Sequence, residues 1–208
     1  MDTLTTTDRP EGRRQHRSRV EQAILAATQG LLQDRPASEV TIADIMDAVG
    51  LSRTAFYRYF PDVNAVLVRL LQEVRSRFVT YWLEAPDDAD FTAVLDSDAR
   101  ASLVQFEAHA AIIRACLDAR TSAPELYVAW LQNVEEIVQQ TSSRIEDLNR
   151  HGVTKVDRPG ETARALITFT IYYAVEGLAR VGDDDDDGRR ALAETLMAVW
   201  YRTLFATL

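Results

Sequence analysis

The sequence predicts an all-α fold: a three-helix N-terminal module followed by a larger helical domain, about nine helices in all. Two observations carry this. Glycine and proline are scarce, 8 and 6 in 208 residues, while 47% of the chain is hydrophobic, which suits helices around a sizeable core. Apolar residues also recur every three to four positions in segment after segment, the period of a helix with one buried face.

Residues 41–61, TIADIMDAVGLSRTAFYRYFP, are the most informative stretch. Ile42, Ile45, Met46 and Val49 form one helical stripe, with Thr41 placed to cap its start and Gly50 placed to take the left-handed conformation at its end. Leu51 is then expected in the core, and Ser52 at the cap of a second helix over 52–59. Phe56 and Phe60 lie four apart and face inward, so Arg53, Thr54, Tyr57 and Arg58 form the exposed face. Guanidinium forks and hydroxyls on one face suit phosphates and base edges. Pro61 stops the helix. The layout is that of a DNA-reading helix-turn-helix, against the plainer alternative of two short amphipathic helices packed like any core pair.

The flanks extend the module. Val20, Ile24, Ala27 and Leu31 predict a helix over about 18–34 that ends before Pro36. Val66, Leu67, Leu70, Leu71 and Val74 start another, expected to run past Phe78 toward Trp82. The string EQAILAATQGLLQDRP, the start at Thr41 and the run GLSRTAFYRYFP from Gly50 to Pro61 resemble the N-terminal module of TetR-family repressors. Within that family the resemblance is nearest to the ethionamide-resistance type (EthR-like), through the LLQDRP end of the first helix and the aromatic FYxYFP cluster. The resemblance implies phosphate contacts from Thr41 and Tyr57 and places Tyr59 where relatives often carry a backbone-binding histidine. It sets Arg53, Thr54 and Ala55, after Ser52, at the reading edge. One departure stands out: relatives usually have a lysine two residues after the proline, and here Val63 follows Asp62.

A formal charge of -9 sits badly with a polyanionic partner, but it is unevenly placed. Residues 1–60 carry eight arginines against eight acids, so the remaining 148 hold the whole -9. Five of those arginines fall between Arg9 and Arg19, opposed by Glu11 alone. A basic flexible arm over 1–17, with Arg13, Arg14 and Arg17 on a phosphate strand or in a minor groove, is one reading; a solvated tail is the other. The expected division is this arm, a helix-turn-helix domain over 18–62, and a ligand-binding and dimerisation domain over 63–208.

Other classes find little support. No run of about 18 apolar residues is present to span a bilayer, and MDTLTTTDRPEGRR lacks a signal peptide's apolar segment, so a cytoplasmic location is expected. The single Cys116 excludes an internal disulfide, and among Ile112, Ile113 and Leu117 it reads as a buried small hydrophobe before a redox sensor. His16, His109 and His151 are scattered, with His109 read at a helix junction, and no nucleophile, phosphate loop or metal-ligand spacing appears. No enzyme, metal or cofactor is therefore expected. Asp183–Asp187 lacks the glycine and ligand alternation of a calcium loop and reads as a solvated connection.

Beyond the module, helices are expected over Asp98–His109, Ala110–Ala119, Pro124–Asn149, 161–180 and 189–208, with the polar loop HGVTKVDRPG before the last two. ALITFTIYYAVEGLA and ALAETLMAVWYRTLFATL are apolar on nearly every face, which calls for burial on two sides. A homodimer with these helices in a four-helix bundle answers that, the alternative being a large monomeric core. TetR relatives dimerise this way, and two reading helices then meet an inverted-repeat operator. The resemblance places Phe106, Tyr127, Val134, Ile167, Thr170 and Trp200 around a ligand tunnel, with Trp130 and Ile171 beside them. Each could equally be plain core. Because Ile167, Thr170 and Ile171 replace the polar residues of relatives, the anchor for a ligand reduces to Thr170 and Tyr127. The function expected is a ligand-responsive DNA-binding regulator, repressing as a dimer on double-stranded DNA and released by a hydrophobic small molecule. The alternative is a helical protein-interaction module without an effector.

Overall fold

The computed structural model describes residues 9–75, 81–182 and 185–205, and the side chains of all of these except 9–16, 75 and 122. Nine α-helices run in order among the described residues: α1 (Arg9–Asp34), α2 (Ile42–Val49), α3 (Arg53–Phe56), α4 (Val63–Arg75), α5 (Tyr81–Glu84), α6 (Phe91–Ser122), α7 (Pro124–Arg150), α8 (Pro159–Arg180) and α9 (Asp186–Leu204). A single 3-10 turn, Ala37–Glu39, joins the first two.

The N-terminal module is built as its periodicity dictates. Ile24 and Leu25 of α1, Ile45 and Met46 of α2, Phe56 of α3, and Val66, Leu67 and Leu70 of α4 close one apolar core. Fully burying side chains of this size stabilises by roughly 1.5–3 kcal/mol each. The larger domain pairs α6 with α9 and α7 with α8, and α6 also packs on α7 and α8. Pro124 and Pro159 open α7 and α8 at positions where a missing N–H costs nothing. Gly177 lies where α8 meets α9: a Cβ there would approach the Leu192 side chain to 2.5 Å, so glycine permits the crossing.

Several boundaries differ from the sequence expectation. α1 begins at Arg9, so the backbone from Arg9 through Arg17 is helical and the segment called a flexible arm is, over those residues, an extension of α1. The mixed polar run that argued for an arm is also free of glycine from 14 to 29 and rich in good helix formers. α6 is one helix of 32 residues where two were expected, and it starts at Phe91, capped by Asp90, whose side chain accepts from the Thr92 and Ala93 N–H groups. His109 is therefore buried inside a helix and not at a junction. No glycine or proline lies between Phe91 and Ser122 to break it. α9 starts at Asp186, because Asp185 caps it by accepting from the Gly188 N–H at 2.8 Å. The described part of the acidic run thus serves a helix N-terminus, where negative charge is favourable. The stretch expected to join α4 to Trp82 passes through 76–80, outside the described residues, and Trp82 itself belongs to the separate short helix α5.

Candidate DNA-reading face and ligand cavity

Two caps set the geometry of the turn. Thr41 and Asp44 form a capping box: the Thr41 Oγ1 accepts from the Asp44 N–H at 3.2 Å, and Asp44 Oδ2 accepts from the Thr41 N–H at 3.0 Å. The Thr41 hydroxyl also donates to Asp44 Oδ2 at 2.6 Å. These bonds, chiefly that of the Thr41 side chain, hold the Asp44 carboxyl below its usual range, with Arg35 and Arg53 adding smaller attractions. The hydroxyl proton that a phosphate would take from Thr41 is thus already engaged. At the other end Gly50 is left-handed (φ 73°, ψ 31°), and the Leu51 and Gly50 N–H groups donate back to Met46 and Asp47, a Schellman close.

The second helix is shorter than expected. α3 spans Arg53–Phe56, and the chain continues to Phe60 in tight turns, with the Tyr59 N–H donating to the Phe56 carbonyl at 2.8 Å. Ser52 stands at its N-terminus but its hydroxyl makes no capping bond. Leu51, expected in the core, is 39% exposed: the Schellman turn carries it outward after Gly50. The stripe is otherwise as expected, with Phe56 and Phe60 buried and Arg53, Thr54, Tyr57 and Arg58 exposed. Tyr57 is 63% exposed, its ring edge-on to buried Phe56 at 5.7 Å. Its phenol therefore stands out from the module between two arginines, where core packing gives it no reason to be. Tyr59 and Ala55 are half-buried and packed on the core, which leaves Ala55 only part of its surface for a base. Arg17 is exposed on α1, while the side chains of Arg13 and Arg14 lie outside the described residues.

Asp62, the residue next to the missing lysine, has a structural task. Its Oδ1 accepts from the Ala65 N–H at 2.8 Å and so caps α4.

The second domain encloses a cavity of about 340 Å³. All three tryptophans of the chain line it: Trp82 of α5, Trp130 of α7 and Trp200 of α9, with Trp82 and Trp200 edge-on at 5.5 Å. Phe106, Ile167, Thr170 and Ile171 join them, as expected, and Leu71 and Val74 bring α4 of the DNA module into the wall. Tyr127 and Val134 do not line it. From α7 the wall takes Trp130, Asn133, Glu136, Ile137, Gln140 and Thr141, and Val134 lies about 80° round the helix from the middle of that face. The polar anchor expected at Tyr127 is corrected with it. Thr170 lines the cavity, and its oxygen accepts the indole N–H of Trp200, which leaves the hydroxyl proton to donate.

The groups that sequence reasoning missed are Asp98, Asn133 and Trp82. Asp98 is buried on α6 and accepts from the Tyr81 N–H at 2.8 Å and the Trp82 N–H at 2.9 Å, so it fixes the start of α5. Burial pushes its carboxyl up from the ordinary value, opposed by those two bonds. Arg144 of α7 closes the other end, donating to the Trp82 and Ala85 carbonyls and pairing with Asp87. Asn133 was legible in principle, as a polar residue inside an otherwise buried helical stripe. Cys116 is fully buried on α6, and burial pushes its thiol up to about 12, so it behaves as a small hydrophobe.

A helix-turn-helix face at one end and an apolar cavity sharing a helix with it at the other define a DNA-binding regulator. The family model described as bacterial regulatory proteins, tetR family, matches residues 24–70, the core of the module described above. The HTH-type transcriptional regulator EthR of Mycobacterium tuberculosis (strain ATCC 25618 / H37Rv) is 28% identical over 203 residues, 94% of this chain and 93% of that protein. EthR of Mycolicibacterium smegmatis is 27% identical, covering 100% of this chain and 98% of the relative. The solved structure of Salmonella enterica GusR shares the fold, with a TM-score of 0.72 at 18% identity over 88% of this chain and 94% of that one. Its N-terminal module is that of the tetR family of bacterial regulatory proteins, and over nearly its whole length the chain is similar to HTH-type transcriptional regulators. Its named relatives are regulators and not enzymes.

Proposed function

We propose that the protein is a ligand-responsive repressor that binds an inverted-repeat operator as a homodimer and leaves it when a hydrophobic small molecule fills the cavity. One observation carries this reading above the rest: α4 closes the core of the DNA module with Val66 and Leu67 yet contributes Leu71 and Val74 to the cavity wall and packs on α6 and α7. A ligand that favours one placement of α4 over another biases the separation of two reading heads, and the linkage is reciprocal. A hundredfold loss of operator affinity needs about 2.7 kcal/mol of differential ligand affinity.

On DNA, Arg53 and Thr54 read base edges, Ser52, Tyr57 and Tyr59 hold phosphates, and Arg17 with Arg13 and Arg14 extends the contact along α1. Ala55 supports this edge more than it reads. Dimerisation through α8 and α9 accounts for the exposure of Tyr172, 54%, beside the stacked rings of Phe169 and Tyr173 on α8.

The test is displacement. Protein bound to DNA from the region upstream of its own gene should be released by apolar or aromatic compounds from a broad screen. If none releases it, the ligand-responsive reading fails. Removing residues 1–16 should weaken operator binding and flatten its salt dependence. Unchanged affinity and slope would remove the N-terminal arginines from the interface.

A further inference from the structure

The cavity wall carries a polar group that the fold leaves unanswered. Asn133 is 9% exposed, and its Oδ1 is buried and accepts no hydrogen bond from the described residues. It lies in the inward row of α7, between Trp130 and Ile137. Buried polar atoms nearly always have partners, so an acceptor left open on a cavity wall calls for one from whatever fills the cavity. The remaining polar lining narrows the partner's chemistry. Among the described residues no arginine, lysine or histidine lines the cavity, and the charged ones that do are Asp98 and Glu136. An anion entering here loses its hydration and meets carboxylates. A buried cation is no better served: both Asp98 oxygens already accept backbone N–H groups of α5, and Glu136 is exposed at the rim.

Resting on the ligand-responsive reading above, we propose that the effector is an elongated apolar molecule bearing one uncharged hydrogen-bond donor of the amide or alcohol type, which it gives to Asn133 Oδ1. The same skeleton ending in a carboxylate or an ammonium is rejected. An amide is the best complement, because it can meet both the oxygen and the nitrogen of the asparagine side chain. Asn133 is thus the specificity-determining residue of the cavity, and the aromatic walls supply the affinity.

Because every tryptophan in the chain lines the cavity, intrinsic fluorescence of the unmodified protein reports its filling. Decanamide, decanoate and decylamine should be titrated into the full chain at one pH near neutrality. Decanamide is expected to bind about tenfold tighter than either charged probe, and Asn133→Leu, which keeps the volume and removes the acceptor, should weaken decanamide about tenfold. Asn133→Asp should move the preference toward decylamine, and the wild-type series decides the matter even if neither variant folds. Equal binding of the three probes, tighter binding of decanoate or decylamine to the wild type, or decanamide binding that survives Asn133→Leu would overturn the proposal and leave the ligand-responsive reading standing. No fluorescence change with any probe would overturn both.

Discussion

The indole N–H of Trp200 on α9 donates to the Thr170 hydroxyl oxygen on α8 at 2.9 Å. This bond ties the two helices of the expected dimer interface to each other inside the cavity wall, because both residues line it. Thr170→Val removes the acceptor at nearly constant volume and leaves a partly buried N–H unpaired. The expected cost is about 1 kcal/mol in chemical denaturation, together with altered tryptophan emission. An unchanged midpoint and spectrum would mean that the bond contributes nothing in solution.

Asp98 holds the first turn of α5 through two backbone N–H groups. Asp98→Ala should therefore destabilise by about 2–3 kcal/mol, since two donors to a buried carboxylate lose their partner together. The pH dependence has a definite sign. Burial raises this carboxyl's pKa above 3.8, so its protonated form is favoured by folding. Its contribution is fully present below pH 3.8 and is lost as pH rises through the folded value. A wild-type minus Asp98→Ala stability difference that instead grows with rising pH over that window would contradict the assignment.

Asp44 runs the other way. The Thr41 cap depresses its pKa below 3.8, so the stabilisation is present above that value and fades as pH falls through the lower folded one. Carboxyl titration followed by NMR should show Asp44 ionised below the usual range in the wild type and shifted upward in Thr41→Val. A Thr41→Val chain with the same Asp44 titration would mean the capping box is not formed.

The contrast between these two carboxylates shows what the sequence could reveal. Thr41 and Asp44 are three residues apart, and Gly50 follows its helix directly, so the cap, the turn and the exposed face of Arg53, Thr54 and Tyr57 were legible from local spacing. Asp98 acts on residues 16 and 17 positions away, on another helix, and nothing in its neighbourhood marks it. The cavity follows the same division. Phe106, Ile167 and Trp200 were found through resemblance. Tyr127 and Val134 were misplaced because they lie on the flank of α7, about 80–100° round from the middle of the face that lines the cavity, and resemblance over a divergent domain does not fix that rotation. Leu51 was assigned to the core by hydrophobicity alone, where the geometry of the Gly50 turn decides.

Tyr172 tests the oligomer. It is 54% exposed on α8, on a face that also presents Ala165 and Thr168. Tyr172→Asp places a charge there without touching the subunit core. Sedimentation at micromolar concentration should show a dimer for the wild type and at least a tenfold weaker dimer for the variant, about 1.4 kcal/mol. A wild-type monomer under those conditions would remove the two-headed operator from the account.

The central claim is that the exposed face of α3 reads DNA, and the most direct measurement is equilibrium binding to a labelled duplex from upstream of the protein's own gene. Wild-type protein should bind this duplex at least a thousandfold more tightly than a scrambled one of equal length. Arg53→Ala and Tyr57→Ala should each abolish that preference while melting at the wild-type temperature, because both side chains are solvent-exposed. Folded variants that bind as tightly and as selectively as the wild type would contradict the claim.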